Sequence, residues 1–188
     1  MSQKKVLVPL AAGFEEIEAV SIIDVLRRAE IEVIVAHLTS VSLVKGANGI
    51  SIEADVNINT IDADNIDMIV LPGGLGGTHA LADNAKVVSI LQDMDKKNKA
   101  IGAICAAPFA LHKAGVLKQN YTCYPSIEDD IRKDGYQGES AMVVEDDNVI
   151  TSRGPATAMC FALAIVKKLA GDEKHKAVKA GLLADFCK

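Results

Sequence analysis

The sequence predicts an α/β fold with a mostly parallel sheet flanked by helices, and three observations carry that expectation. Lys5–Leu10, Glu15–Ala29 and Ile31–His37 read as strand, helix and strand within about 35 residues, the span of a βαβ unit. Two further short apolar runs, Asp67–Leu71 and Ala100–Ile104, each lead into small residues and then a helical stretch, which repeats the alternation expected of a parallel sheet. Finally, 49 % of the 188 residues are apolar, enough to fill one sizeable core, so one domain over residues 1–188 is expected.

Each element follows from its residues. Pro9 lies near the end of the first strand, where a ladder donor is least needed. Ala11–Phe14 is a loop. Glu15, Glu16 and Glu18 crowd the first turn of the helix and Arg27 and Arg28 its last, both matched to the helix dipole. Ile17, Val20, Ile23 and Leu26 supply a helical apolar period. Val41–Val44 and Ile50–Glu53 flank Asn48-Gly49, a hairpin signal. Pro72–Gly77 is expected as a glycine-rich loop, followed by a helix over Asn84–Lys97. After Ile104, the Pro108 of Cys105-Ala106-Ala107-Pro108 fits a helix's first turn. Tyr121–Cys123 is a short strand, Pro125–Lys133 a turn with a short helix, and Ala141–Glu145 pairs with Asn148–Thr151 around Asp146-Asp147. Pro155 begins a helix running to about Leu169, and Lys174–Phe186 is a last helix.

Composition excludes several functions. Trp is absent and aromatics are 4 %, against a stacking platform for single-stranded nucleic acid. Twenty Lys and Arg face 25 Asp and Glu, a net charge of -5 with no basic run, so no specific nucleic-acid binding is expected. No apolar run reaches membrane-spanning length. The opening Met1–Glu16 runs basic then apolar, but the apolar part is short and ends in acids, so a strand is expected there and no signal peptide. Cys105, Cys123, Cys160 and Cys187 lack paired close spacing, which predicts free thiols and a reducing, cytoplasmic setting. With no Cys-x-x-Cys or His-x-x-x-His pair, no metal site is expected.

The chemistry converges on Cys105. A nucleophile type among small residues at a strand-to-helix switch makes a nucleophile elbow, with sulfur facing free N–H groups that favour the thiolate. A buried structural cysteine is the competing account of the same stretch. The loops at Ala11–Glu18, Pro72–Gly77 and Ser152–Pro155 gather at the same carboxyl edge of a parallel sheet. Glu15, Glu16 and Glu18 stabilise the helix start through its dipole, and Glu18, three residues on from Glu15 and on the same side of the helix, is a candidate for a carboxyl beside the sulfur. Beside a thiolate its pKa would rise, leaving it protonated and able to donate to sulfur or to shuttle a proton. Backbone N–H groups of Gly74 and Ala106 are placed to form an oxyanion hole, although a plain tight loop explains the glycines too. The loop matches neither Gly-x-Gly-x-x-Gly nor a phosphate loop. Gly73, Tyr124, Ser152, Arg153 and Pro155 are the further residues expected to line the pocket. His79 is the one histidine near enough to act as a base, Cys160 reads as core, and Cys187 as incidental.

Gly13-Phe14-Glu15-Glu16-Ile17-Glu18, Asp24–Ala29, Leu71-Pro72-Gly73-Gly74, Ala103–Pro108 and Thr151–Thr157 with Phe161-Ala162-Leu163 together resemble the ThiJ/PfpI superfamily, in the branch of the Parkinsonism-associated deglycases and their bacterial YajL-type relatives. The resemblance spans nearly the whole chain. It implies a flavodoxin-like three-layer sandwich, a homodimer built partly on the first helix, Cys105 as nucleophile, Glu18 as its protonated partner, and Gly74 and Ala106 as donors. It further implies a cofactor-free glyoxalase or deglycase acting on methylglyoxal or on its early adducts with protein or nucleotide, or else a redox sensor whose cysteine becomes a sulfinate, with chaperone-like protection. Superfamily proteases carry a histidine directly after the cysteine. Ala106 stands there instead, and Tyr124 replaces a histidine common in the deglycase branch, so peptidase activity is not expected.

Overall fold

A computed structural model describes residues 3–187. Strands β1 (Lys5–Leu10), β2 (Glu32–His37), β5 (Val56–Asn57), β6 (Met68–Leu71), β7 (Ala100–Ile104), β8 (Val143–Asp146) and β9 (Val149–Ser152) form one sheet in the order β5-β2-β1-β6-β7-β9-β8. Every pairing is parallel except β8 with β9. Strands β3 (Leu43–Lys45) and β4 (Ser51–Glu53) make a separate hairpin at the expected place.

The strand alternation divides the core between two faces. Val6, Val8 and Leu10 point to one side of β1, where helices α1 (Glu16–Arg28) and α5 (Ala158–Gly181) cover them. Leu7 points to the other, with Ile69, Leu71, Ile101 and Ala103 beneath α3 (Ala85–Lys96) and α4 (Pro108–Ala114). Side chains two apart share a face, so one sheet buries two layers of helices, the three-layer sandwich expected.

Four local expectations change. The glycine loop is short, because α2 (Leu75–Asp83) begins inside it. Gly76 and Gly77 are poor helix formers, yet a Cβ on Gly77 would lie 2.9 Å from Phe14 N, so tertiary packing overrides propensity. Ile17 and Val20 are exposed on α1, whose buried face uses Ala19, Ile22, Val25 and Leu26 instead. Tyr121 makes only an isolated bridge with Tyr136. The last helical stretch, Ala158–Gly181, is broken at Gly171 into the two helices expected, but the second ends at Gly181, before Phe186.

The cysteines also differ from expectation. Cys160 and Cys187 form a disulfide, with Cα atoms 5.1 Å apart, leaving Cys105 and Cys123 as the free thiols. Twenty-seven residues separate the pair in sequence, and only the fold-back after Gly171 brings them together. The cysteine count therefore gives no support to a reducing compartment.

Candidate active site

The carboxyl ends of β1, β6, β7 and β9, four neighbours in the sheet, converge on Cys105. Cys105 directly follows β7 with φ 63°, a left-handed conformation rare for a residue with a Cβ and found at nucleophile elbows. The surrounding chain holds it there. Its N–H donates to Ser152 O (3.0 Å), and its carbonyl accepts from Tyr124 N (2.8 Å). The small residues on either side, Ala103, Ala106 and Ala107, are all buried, as a sharp turn requires.

Glu18 reaches the elbow from α1. Glu15 caps that helix by accepting from Glu18 N (2.8 Å), and Glu15 N donates to Gly73 O (2.9 Å), which ties the helix start to the glycine turn. Glu18 is fully buried, and its Oε2 accepts from Gly73 N at 2.7 Å. Its Oε1 is buried with no hydrogen-bond partner, and the carboxyl and Cys105 border the same space over Gly73. Gly73 stands between the two groups. A Cβ there would lie 2.6 Å from Cys105 Cβ and 2.7 Å from Glu18 Oε2, so any side chain would force them apart. Gly74 adopts φ 89° and passes so close to Gly13 that a Cβ would meet Gly13 O at 2.3 Å. The N–H groups of Gly74 and Ala106 lie on the Cys105 side of the turn and favour its ionised form.

Burial pushes the Glu18 carboxyl up to about 7, against the pull of the Gly73 N–H and of Cys105. Burial also pushes the Cys105 thiol up, to about 12, and the negative charge of Glu18 adds to this. The two N–H donors act in the opposite direction and are outweighed. Both shifts share one cause, the loss of water around the pair, and it opposes the donors that favour the thiolate. Two buried acids side by side cannot both ionise near neutrality, so they keep at least one proton between them, and only one once the pH passes about 7. The nucleophile is available only when that proton sits on Glu18.

The remaining expected residues divide. Ser152 donates its hydroxyl to Met142 O (2.7 Å), so it serves Cys105 through its carbonyl alone. Tyr124 lies over Gly154, where a Cβ would stand 3.2 Å from its ring, and remains half exposed beside the elbow. Arg153 turns away, with its guanidinium 3.6 Å from Glu139 and its charge felt at Cys123. Pro155 is half-buried and opens the 3-10 turn before α5. His79 packs edge-on against Phe109 (5.2 Å), and among the described residues no histidine partners Cys105 or Glu18.

Sequence reasoning missed Glu16. Its carboxylate accepts from Asn48 N (2.6 Å), Asn48 Nδ2 (2.9 Å) and Ile50 N (3.3 Å), locking the β3–β4 hairpin to α1. Burial pushes this carboxyl up, but those donors more than offset it and hold it below its ordinary value. The available signal was a second acid in a helix's first turn, which the dipole already explains.

Comparison with known proteins gives the chain relatives in sequence and in fold. The sequence pattern of the DJ-1/PfpI family matches residues 4–168. Protein dj-1beta of Drosophila melanogaster is 42 % identical over 184 residues, covering 97 % of this chain and 98 % of that one. Its crystal structure superposes with a TM-score of 0.93 over the same shares of the two chains. The glutathione-independent glyoxalase DJR-1.2 of Caenorhabditis elegans is 38 % identical over 174 residues, 92 % of each chain. An oxidized DJ-1 of Toxoplasma gondii is 36 % identical with a TM-score of 0.88, covering 96 % of this chain and 98 % of that one. By family match, near-full-length identity and a shared fold, the chain belongs to the DJ-1/PfpI family.

Proposed function

We propose that this protein is a cofactor-free, cysteine-dependent glyoxalase acting on small α-oxoaldehydes such as methylglyoxal. The observation that carries this is a cysteine on a left-handed turn with a buried carboxyl beside it, the two flanking one glycine that leaves no room for a side chain. When Glu18 takes the thiol proton, Cys105 Sγ adds to the aldehyde carbon and forms a hemithioacetal. The N–H groups of Gly74 and Ala106 are donors for the oxygen that becomes negative. Glu18 gives the thiol proton to that oxygen, then takes the hydrogen of the first carbon and delivers it to the second while the hydroxyl proton passes to the second oxygen, which converts the hemithioacetal to a thioester of the hydroxy acid. Water cleaves the thioester and restores the thiol, so oxoaldehyde plus water becomes hydroxy acid. The glyoxalase name of a 38 % identical relative supports this chemistry.

Cys105 is 8 % exposed, which suits a small free aldehyde better than an adduct on a folded protein. Deglycase action on glycated protein or nucleotide is the finer alternative. Lactate formation from methylglyoxal without glutathione tests the proposal. Wild type forms lactate and Cys105→Ala does not; equal rates would end it, and activity confined to glycated substrates would favour the deglycase.

The oxidized relative favours a second use of the same thiol, as a redox sensor. Mild peroxide followed by mass spectrometry should then find oxygen on Cys105 before Cys123; the reverse order opposes it. A homodimer is part of the proposal. Ile17 and Val20 on α1 and Ile50 on the hairpin are exposed apolar side chains, and Glu16 joins their two elements into one surface. Sedimentation should give twice the chain mass and Val20→Asp a monomer; a wild-type monomer contradicts this.

A further inference from the structure

The C-terminal end of the molecule is fastened differently from the rest. Gly171, at φ 84° and ψ 175°, breaks α5 into two parts. The first is core, with Phe161, Ala162, Leu163, Ile165 and Val166 buried. The second buries only Val178. The segment after it turns back with Leu183 and Phe186 exposed and only Ala184 and Cys187 buried. Its hydrogen bonds are local: Leu182 N to Val178 O (3.0 Å), Ala184 N to Lys179 O (3.1 Å) and Cys187 N to Ala184 O (3.0 Å). Lys179 Nζ also donates to Cys187 O, and Lys174 pairs with Glu30 (2.7 Å) at the surface. Few apolar contacts and exposed polar bonds describe a region that opens locally. Val178, Ala184 and Leu182 give it a small apolar footing on the core, and the covalent bond between Cys187 and Cys160 fastens its far end.

A cavity of about 490 Å³ lies against that bond. Met142, Cys160, Leu163, Lys167, His175 and Cys187 are among its walls. Its volume falls within the roughly 300–1,000 Å³ of small-molecule sites. Cys160 is 8 % and Cys187 3 % exposed, too recessed for the surface cysteine of a protein reductant, while the cavity leads a small molecule to both.

We propose that Cys160 and Cys187 are a second redox site, opened by a small thiol such as glutathione through this cavity, and that reduction releases residues 172–187 from the core. The exchange balances. One thiolate bonds to one of the two sulfurs, the Cys160–Cys187 bond breaks, and the departing sulfur takes a proton. A second thiol attacks the mixed disulfide and leaves with the first as their own disulfide. Two small thiols are oxidised as one protein disulfide is reduced. The site is independent of Cys105 and of the glyoxalase proposal.

The test uses the full chain under native conditions. Protein purified without reductant is treated with graded glutathione, then with an alkylating agent and trypsin, and its peptides are mapped. Untreated protein should alkylate at neither Cys160 nor Cys187, and glutathione should expose both together. Over the same range, cleavage after Lys174, Lys176 and Lys179 should rise at least tenfold while the circular dichroism of the sheet is kept. Cys187→Ser should cleave at the fast rate with or without glutathione. The proposal is overturned if untreated protein carries all four thiols free even after treatment with glutathione disulfide. It is equally overturned if the bond yields only in denaturant or only to a thioredoxin-type protein, or if the tail cleaves equally fast oxidised and reduced. Should Cys187→Ser fail to fold, the paired wild-type samples decide alone.

Discussion

Cys105 and Cys123 make an instructive pair. Both are free thiols, both are buried, and burial is the main force pushing each up to about 12. Their neighbours differ. Cys123 faces the backbone N–H of Glu128 and feels opposing charges from Glu128 and Arg153. Cys105 sits on a left-handed turn, with two N–H groups that favour its ionised form and a buried carboxyl beside it. A raised thiol pKa therefore does not separate an inert cysteine from a working one. A proton acceptor whose own pKa lies near 7 does, because the proton then needs only to cross to a neighbour.

The substitution expected to do most against that distinction, short of deleting the sulfur, is Glu18→Gln. It removes the acceptor with little change of shape, and lactate formation should fall about 10²–10⁴-fold, the usual worth of a general base. A loss under threefold would leave Cys105 no more privileged than Cys123. The same residue makes stability depend on pH. Folded Glu18 holds its proton up to about 7, whereas its ordinary value is 4.5. Between those values the folded state binds more protons than the unfolded one. Stability is thus full below about 4.5 and declines as pH rises through about 7, by on the order of 3 kcal/mol. Urea titrations from pH 4 to 8 should show this decline in wild type and a shallower one in Glu18→Gln; parallel curves contradict it.

Gly73→Ala sharpens the contrast by geometry. Its Cβ has no room between Cys105 and Glu18, so the variant should lose about 1–3 kcal/mol of stability by overpacking and most of its activity. Unchanged turnover would mean the contact is dispensable. Cys123→Ala is the smallest change. It removes one buried sulfur, should cost about 1–2 kcal/mol in denaturant melts, and should leave turnover within twofold. A tenfold loss would give Cys123 a part in the chemistry.

Much of this was legible in the residues. Small side chains around Cys105 and Pro108 at the head of α4 announce the elbow locally, because a sharp turn constrains its immediate neighbours. Glu18 was legible through the family resemblance of Gly13–Glu18, since its position in the first turn of the helix is equally explained by the dipole. The start of α2 was not, since Gly76 and Gly77 read as loop until the contact with Phe14 is known. Nor was the Cys160–Cys187 bond, which depends on a kink that reverses the chain after the cysteine in the core. The burial of the Cys105 sulfur together with the Glu18 carboxyl was not legible for the same reason. N–H donors beside it are local features, but the loss of water around sulfur and carboxyl together comes from the whole fold.

The central claim is that the Cys105 proton passes to Glu18. The rate of Cys105 alkylation against pH, measured by peptide mapping in wild type and in Glu18→Gln, tests it most directly. Wild type should rise to a plateau through pH about 7, where Glu18 becomes able to accept. Glu18→Gln should lack that step and react only as the medium becomes strongly alkaline. Superimposable profiles would contradict the account.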